Sequence, residues 1–341
     1  MTLNVLEIAA DVPPYKGGIA RLVGVLIDGL RKRGWHVDVE SPKRRVGEFK
    51  PNFIPFKKHE GYDVVHVHGP TPFLSDMCLL TKGNAIVYTH HAEICWASER
   101  ISQLYTRFHR FLACKVARAI VVHSREYADL FSAANVKVVR PPVTLSLPKE
   151  YDLHDRLERQ FTVIFVGQFR AFKGINVLIE AACDLRDVNF VLVGEGPLKA
   201  KFKRMVERLH LRNVMFEENV DDYRLKRLYE RAHVVCLPSL NTTEAYGLVL
   251  VEGALYGCVP IASNLIGVRE NTNLLGGFSF ARGSSKQLVE IIRSLKSNIN
   301  LWQHFSKQAY ERANEYARKY NVDYYVQAHI DLFNFIAKTC D

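Results

Sequence analysis

Short runs of continuous apolar residues alternate along this chain with stretches in which apolar residues return every three or four positions. Residues 3–9, 35–40, 63–68, 85–89, 119–123 and 136–139 read as strands. Between them, residues 21–33 repeat Leu22, Val23, Leu26, Ile27 and Leu30 at helical spacing and stop at Gly34. Residues 99–118 carry a stripe of Ile101, Leu104, Phe108, Phe111, Leu112 and Val116, interrupted by Arg100, Arg107, Arg110 and Lys115. Such a stripe is expected to face the core. A further helix starts at Ser124.

The rhythm restarts in the second half. Strands are predicted at 161–166, 190–193, 214–217 and 233–237, and helices at 175–185, up to His210, and at 223–231. Two helical segments, 301–318 and 324–338, close the chain. Strand followed by helix, repeated, predicts parallel sheets covered on both faces, an α/β fold. Pro141-Pro142 and Leu147-Pro148 mark a linker, giving domains at 1–150 and 151–320, with 321–341 as a closing helix.

Composition narrows the function classes. The 341 residues suit two domains. Seven cysteines, scattered and without a C-x-x-C pair, predict reduced thiols, no zinc site and a cytoplasmic setting. No apolar run is long enough to span a bilayer. Of the net charge of +10, most lies in residues 1–150, which hold 21 Lys/Arg against 14 Asp/Glu. Residues 31–58 alone hold nine basic residues against Asp38, Glu40 and Glu48. A solvated basic face is the ordinary reading of such a patch. Peripheral contact with an anionic membrane at its inner face is the functional one. Nucleic acid is not expected as a partner.

The chemistry centres on residues 241–263. From Ala245 to Ala262 every residue is apolar, Gly, Pro or Tyr, except Glu252. An acid in so apolar a stretch is expected to be buried and must be hydrogen-bonded. Glu244 stands eight positions earlier, just before Tyr246-Gly247, where a helix is predicted to begin at Leu248. Two carboxylates around a helix start suit a polyhydroxylated ligand, with the N-terminus free to receive an anion. The plainer alternative is a structural acid and a helix-start acid. Elsewhere, Gly17-Gly18 precede a helix, where glycine lets backbone approach a ligand closely. His66 and His68 fall on one side of their strand, without a sequence-adjacent third metal ligand.

The phrase E-A-Y-G-L-V-L-V-E-G-A-L-Y-G-C-V-P-I-A-S resembles the E-x₇-E signature of the retaining family-4 glycosyltransferases. Four other stretches resemble the same family: P-P-x-x-G-G-I around Gly17-Gly18, Thr89-His90-His91, the loop from Gly167 to Gly174 with its Lys173-Gly174, and Gly194-Glu-Gly-Pro197. The resemblance implies a GT-B fold, with two Rossmann-like domains facing each other across a cleft. It implies a nucleotide-sugar donor on the second domain, a glycan or lipid-linked acceptor on the first, transfer with retention, and no metal or other cofactor. By the same resemblance, Glu244 lies by the donor sugar and Glu252 holds the ribose hydroxyls. His91 lines the cleft as a catalytic residue that contacts the donor sugar or the reacting acceptor, and Gly17, Gly18, Gly167, Gly194, Tyr246, Gly247 and Leu248 flank the donor. Lys173 and Arg170 would neutralise the leaving diphosphate, the largest kind of catalytic contribution.

One departure stands out. The family commonly has Arg directly after the strand glycine, where this chain has Gln168, so Arg170 is the candidate replacement. Three other readings fit part of the pattern: a GT-B nucleotide-sugar epimerase, a non-catalytic GT-B binding subunit, and a nicotinamide-dependent dehydrogenase. The last is disfavoured because neither half has G-x-G-x-x-G after its first strand. Donor base and sugar, acceptor, linkage and oligomeric state are not set by these motifs.

Overall fold

A computed structural model describes residues 2–15, 17–42, 61–80, 85–95, 99–133, 135–148, 150–151 and 153–338. Most of the basic segment 31–58 therefore lies outside the described residues. In chain order the first part contains β1 (Asn4–Ile8), α1 (Gly18–Lys32), β2 (His36–Glu40), β3 (Val64–Gly69), α2 (Leu74–Leu79), β4 (Ile86–His90), α3 (Glu99–Val116), β5 (Ala119–Val122), α4 (Arg125–Ala128) and β6 (Val136–Val138). The second contains α5 (His154–Leu157), β7 (Thr162–Val166), α6 (Ile175–Asp184), β8 (Asn189–Val193), α7 (Lys199–Arg208), β9 (Val214–Glu217), α8 (Asp222–Arg231), β10 (Val234–Leu237), α9 (Leu248–Leu255), β11 (Val259–Ser263), α10 (Val268–Leu274), β12 (Phe278–Phe280), α11 (Ser285–Ser297) and α12 (Ile299–Lys319). The last helix is α13 (Val322–Lys338).

The chain divides into two compact units, 1–142 with 320–341, and 143–319. Each is built on a six-stranded parallel sheet, ordered β2-β1-β3-β4-β5-β6 in the first and β12-β11-β10-β7-β8-β9 in the second. In both, the strand order reverses beside the first strand of the unit, and there the carboxyl ends of neighbouring strands open a crevice suited to ligands. The structure is thus α/β, as the alternation predicts.

The first unit is closed by its last helix. Val23, Leu26, Ile27 and Leu30 of α1 share a core with Tyr325, Val326 and Phe333 of α13. Gly29 lets the two helices approach, since a Cβ there would lie 2.3 Å from a Val326 methyl. Arg33 and Asp323 also pair at 2.8 Å, but Asp323 is 86% exposed. A pair so exposed contributes at most about 1 kcal/mol, whereas each fully buried Leu, Val or Phe contributes about 1.5–3 kcal/mol. The apolar seam therefore holds α13 in place.

Helix α3 overturns the expectation for its stripe. Ile101, Leu104, Phe108 and Phe111 are exposed, while Ser102, Thr106, His109 and Ala113 are buried. Spacing shows which residues share a face, and polar bonding to α2 decides which face turns inward. The hydroxyl of Tyr105 donates to Asp76 at 2.9 Å, and His109 meets the Ser75 hydroxyl at 2.9 Å.

Candidate functional site

In the second unit, three loops at the carboxyl ends of the strands are fastened to one another. The loop after β7 is strapped to the loop after β8 through the Phe169 N–H, which donates to the Glu195 carbonyl at 2.8 Å, and the Leu198 N–H, which donates to the Phe169 carbonyl at 3.1 Å. Gly194 is required there. Its φ is +141°, and a Cβ would lie 2.0 Å from the Gly167 carbonyl oxygen. Gly174 has φ +67° and ends the turn that holds Lys173; a Cβ on it would lie 1.9 Å from the Pro238 carbonyl oxygen. The Leu240 N–H donates to the Phe172 carbonyl at 2.6 Å. The turn at Lys173-Gly174 is thereby fixed against the loop after β10, which delivers Glu244.

The outcome is an ion pair between Lys173 Nζ and Glu244 Oε2, with the two side chains only 16% and 13% exposed. The pair stands just before the N-terminus of α6, where main-chain N–H groups and the helix dipole favour an anion. Arg170 and Gln168 are also brought together. The Arg170 Nε–H donates to the Gln168 side-chain oxygen at 2.8 Å, so Gln168 orients the guanidinium. Gly167 follows β7 on the same loop, and its Cα lies beside Lys173.

Past Glu244, Tyr246 and Gly247 form the entry to α9. Tyr246 is buried and its hydroxyl donates to that of Tyr316 at 2.8 Å. The Asn271 amide donates to the carbonyls of Tyr246 and Gly247 at 3.1 and 3.2 Å. Gly247 takes φ +73°, and Leu248 begins the helix. Glu252, one turn on, is buried at 4% exposure, as the apolar stretch around it predicts.

The first unit presents a different arrangement at the same sheet edge. Glu7 of β1, His68 of β3, His91 after β4 and His123 after β5 form one chain across adjacent strands. Glu7 Oε2 meets His68 Nε2 at 2.7 Å, His68 Nδ1 meets His91 Nε2 at 2.8 Å, His91 Nδ1 meets His123 Nε2 at 3.2 Å, and His123 Nδ1 donates to the Val139 carbonyl at 2.9 Å. His66 branches from it, with Nδ1 3.1 Å from Glu7 and Nε2 2.7 Å from the Thr89 hydroxyl. All of these groups are buried.

Burial opposes ionisation of Glu7, yet the charges and hydrogen bonds of His66 and His68 together outweigh it and hold the carboxyl far below its usual range. Burial and the neighbouring imidazoles push His91 well down. Proton counting constrains the set further. An ionised Glu7 and the Val139 carbonyl are both pure acceptors, so the four bonds between them need four protons. Three neutral imidazoles carry three. The row therefore either holds one extra proton balanced by Glu7 or leaves one contact with two facing lone pairs. Glu7, His66 and His68 are also the one group among the described residues whose donor atoms lie close enough to hold a metal ion, and Glu7 is the neighbour of the two histidines that sequence spacing missed. Their separations of 2.7–3.1 Å are hydrogen-bond lengths.

The predicted site residues thus fall into two sets. Lys173, Arg170, Glu244, Gly167, Gly194, Tyr246, Gly247, Leu248 and Glu252 belong to the second unit. His91, Gly17 and Gly18 belong to the first. Gly17 and Gly18 are exposed at the start of α1. His91 has both ring nitrogens engaged by other histidines and is only 6% exposed. Sequence reading also missed Glu7 and His123. Glu7 had a signal, since it is a lone acid between Leu6 and Ile8 in an apolar strand.

Comparison with known proteins identifies the family. A family model described as glycosyl transferases group 1 matches residues 152–312, and one described as Glycosyltransferase Family 4 matches residues 40–147. The O-antigen chain mannosyltransferase C of Escherichia coli is 27% identical over 369 residues, covering 96% of each chain. Among solved structures, a sucrose-phosphate synthase from Thermosynechococcus elongatus superposes with a TM-score of 0.79 at 18% identity, covering 99% of this chain and 100% of the other. Anabaena HepE in complex with UDP-glucose superposes with a TM-score of 0.69 at 19% identity, covering 99% of each chain. This chain accordingly belongs to the group 1, family 4 glycosyltransferases and has their GT-B fold.

Proposed function

We propose that the protein is a retaining, metal-independent hexosyltransferase that moves a sugar from a nucleoside diphosphate to a hydroxyl of a glycan or lipid-linked acceptor. The observation that carries this reading is Lys173, held on Glu244 at the N-terminal end of α6. A donor diphosphate entering there would take the ammonium from Glu244 and meet the first N–H groups of α6. Arg170, oriented by Gln168, would add a second cation. Charge on the leaving diphosphate grows in the transition state, so these groups stabilise it more than the ground state. Glu244, once exchanged, would face the donor sugar, and buried Glu252 would accept from the ribose hydroxyls. The glycines at 167, 194 and 247, with Tyr246 and Leu248, would frame the donor.

A nucleotide-sugar donor is supported by the UDP-glucose complex of Anabaena HepE, and a glycan acceptor by the name of the Escherichia coli mannosyltransferase. Free thiols at all six described cysteines favour a cytoplasmic setting. Among the described residues no helix is long and apolar enough to cross a membrane, so contact with a lipid-linked acceptor would be peripheral.

The test is incubation with a panel of nucleotide sugars, read by thermal shift and by nucleoside diphosphate release with and without acceptors. Stabilisation by one donor, and release that an acceptor accelerates, are expected. Isomerised donor without any acceptor would indicate an epimerase instead, and no response to any donor would favour a non-catalytic subunit.

A further inference from the structure

Helix α3 is built with its polarity reversed. Its inward face is made of Ser102, Thr106, His109 and Ala113, all buried. Those groups and their neighbours are fastened by polar contacts, Tyr105 to Asp76 and His109 to Ser75, and His109 also lies 3.4 Å from Asp76. Its outward face carries Ile101, Leu104, Phe108 and Phe111, spaced three, four and three residues apart and 56%, 71%, 57% and 60% exposed. Four large apolar side chains along one helical line make a continuous surface stripe. A stripe of that kind on a helix marks an interaction surface more often than chance exposure.

The charges beside the stripe indicate the occupant. From residue 100 to residue 118 there are five basic residues and no acidic one. Arg110 is neutralised by Glu93 at 2.6 Å. Arg100, Arg107, Lys115 and Arg118 remain exposed beside the apolar line. Lys115 lies over the Phe111 ring, its Nζ 5.7 Å from the ring centroid, so a cation accompanies the apolar line. Leu80, next to α2, which packs on α3, is a further exposed apolar residue.

We infer that α3 is the membrane-docking element of this protein, lying in the interface of an anionic bilayer with Ile101, Leu104, Phe108 and Phe111 inserted and Arg100, Arg107, Lys115 and Arg118 at the level of the headgroups. Phenylalanine and leucine on one side, with arginine and lysine flanking them, is the pattern of helices that lie in a membrane surface. A second copy of the chain would bring like charges together along the helix, whereas anionic lipid neutralises all four. The inference uses none of the residues of the basic segment 31–58 and does not depend on the donor or the transfer reaction.

The test is co-sedimentation of the full chain with phosphatidylcholine vesicles, with and without phosphatidylglycerol, at low and high salt. The wild type should bind the anionic vesicles and bind the neutral ones far more weakly, with added salt reducing the bound fraction. Leu104→Glu/Phe108→Glu, at two exposed positions, should lower the partition coefficient at least tenfold while leaving the melting temperature unchanged. Arg107→Glu/Lys115→Glu should abolish the preference for anionic lipid. Absence of binding to anionic vesicles, or binding unaltered by Leu104→Glu/Phe108→Glu, would overturn the inference. So would a wild-type dimer in solution that the same double variant converts to monomer, because the occupant would then be a second copy. Transfer to a water-soluble acceptor should persist in both double variants, so a failure here is separable from a failure of the proposed reaction.

Discussion

The two units place polar chemistry at the same address, the carboxyl ends of a six-stranded parallel sheet, and use it differently. In the second unit a lysine and a glutamate meet in a loop, partly accessible, each able to exchange its partner for a ligand. In the first, Glu7 and the histidines 66, 68, 91 and 123 are buried and bonded to one another, to Thr89 and to the Val139 carbonyl. A charge held by a single exchangeable partner is suited to meeting substrate. A buried row whose every member is engaged is suited to fixing strand ends relative to one another. On the proposed reading, the diphosphate chemistry would belong to the second unit, and the buried row of the first would position strand ends rather than meet substrate.

The contrast can be broken by substitution. If the second unit carries the chemistry, Lys173→Ala should lower kcat by about 10²–10³, roughly 3–4 kcal/mol of transition-state stabilisation, with little change in melting temperature. Arg170→Ala should cost a similar amount, since it is the candidate second cation. Steady-state rates of diphosphate release read both. Rates near wild type in both variants would remove the diphosphate from this loop.

In the first unit the loss should appear as stability instead. Removing one partner of a buried charged set costs about 3 kcal/mol or more, so Glu7→Gln should lower the melting temperature by several degrees. The pH dependence follows from the direction of the shift. The folded carboxyl titrates below its unfolded value, so its stabilisation is present above about pH 4 and is lost as the pH falls through the folded value. Wild type and Glu7→Gln should therefore differ most at neutral pH, and the difference should begin to narrow below about pH 4, as thermal melts between pH 3 and pH 8 would show. A Glu7→Gln protein with wild-type melting and reduced turnover would place chemistry in the first unit after all. His91→Ala, at the centre of the row, should likewise lower the melting temperature.

Gly174→Ala is a smaller perturbation that reports on how the loops are fastened. The strain of a side chain at φ +67° costs about 1–3 kcal/mol, and the close Pro238 carbonyl forces the turn to shift. Turnover should fall together with stability, as measured by paired kinetics and melts. The smallest effect is expected for Gln168→Ala. It removes the group that orients Arg170 but no charge, so kcat should change only a few-fold.

Strand positions, the parallel α/β class and the burial of Glu252 were legible in the sequence, because buried parallel strands are nearly continuous apolar runs. The short elements α2 and β12, and the helices α10 and α11, were not anticipated; α2 has six residues and β12 three, too few for a periodic signal. The orientation of α3 was not legible either, because periodicity groups Ile101, Leu104, Phe108 and Phe111 without saying which face is inward. That choice rests on Asp76 and Ser75, more than twenty residues away in the chain. The histidine row needed the pairing of β1, β3, β4 and β5, which no local pattern contains. The lone acid at Glu7 was as clear a signal as the one at Glu252. It was harder to interpret because its partners lie 59 and 61 residues further on.

On the proposed reading, Lys173 binds the donor diphosphate. Calorimetric titration of wild type and Lys173→Met with a nucleoside diphosphate, and with the corresponding nucleoside lacking phosphates, tests it most directly. The base should be the one chosen by the donor panel. Lys173→Met should weaken binding of the diphosphate at least tenfold and leave binding of the nucleoside unchanged. An equal loss for both ligands, or no loss for either, would contradict that reading.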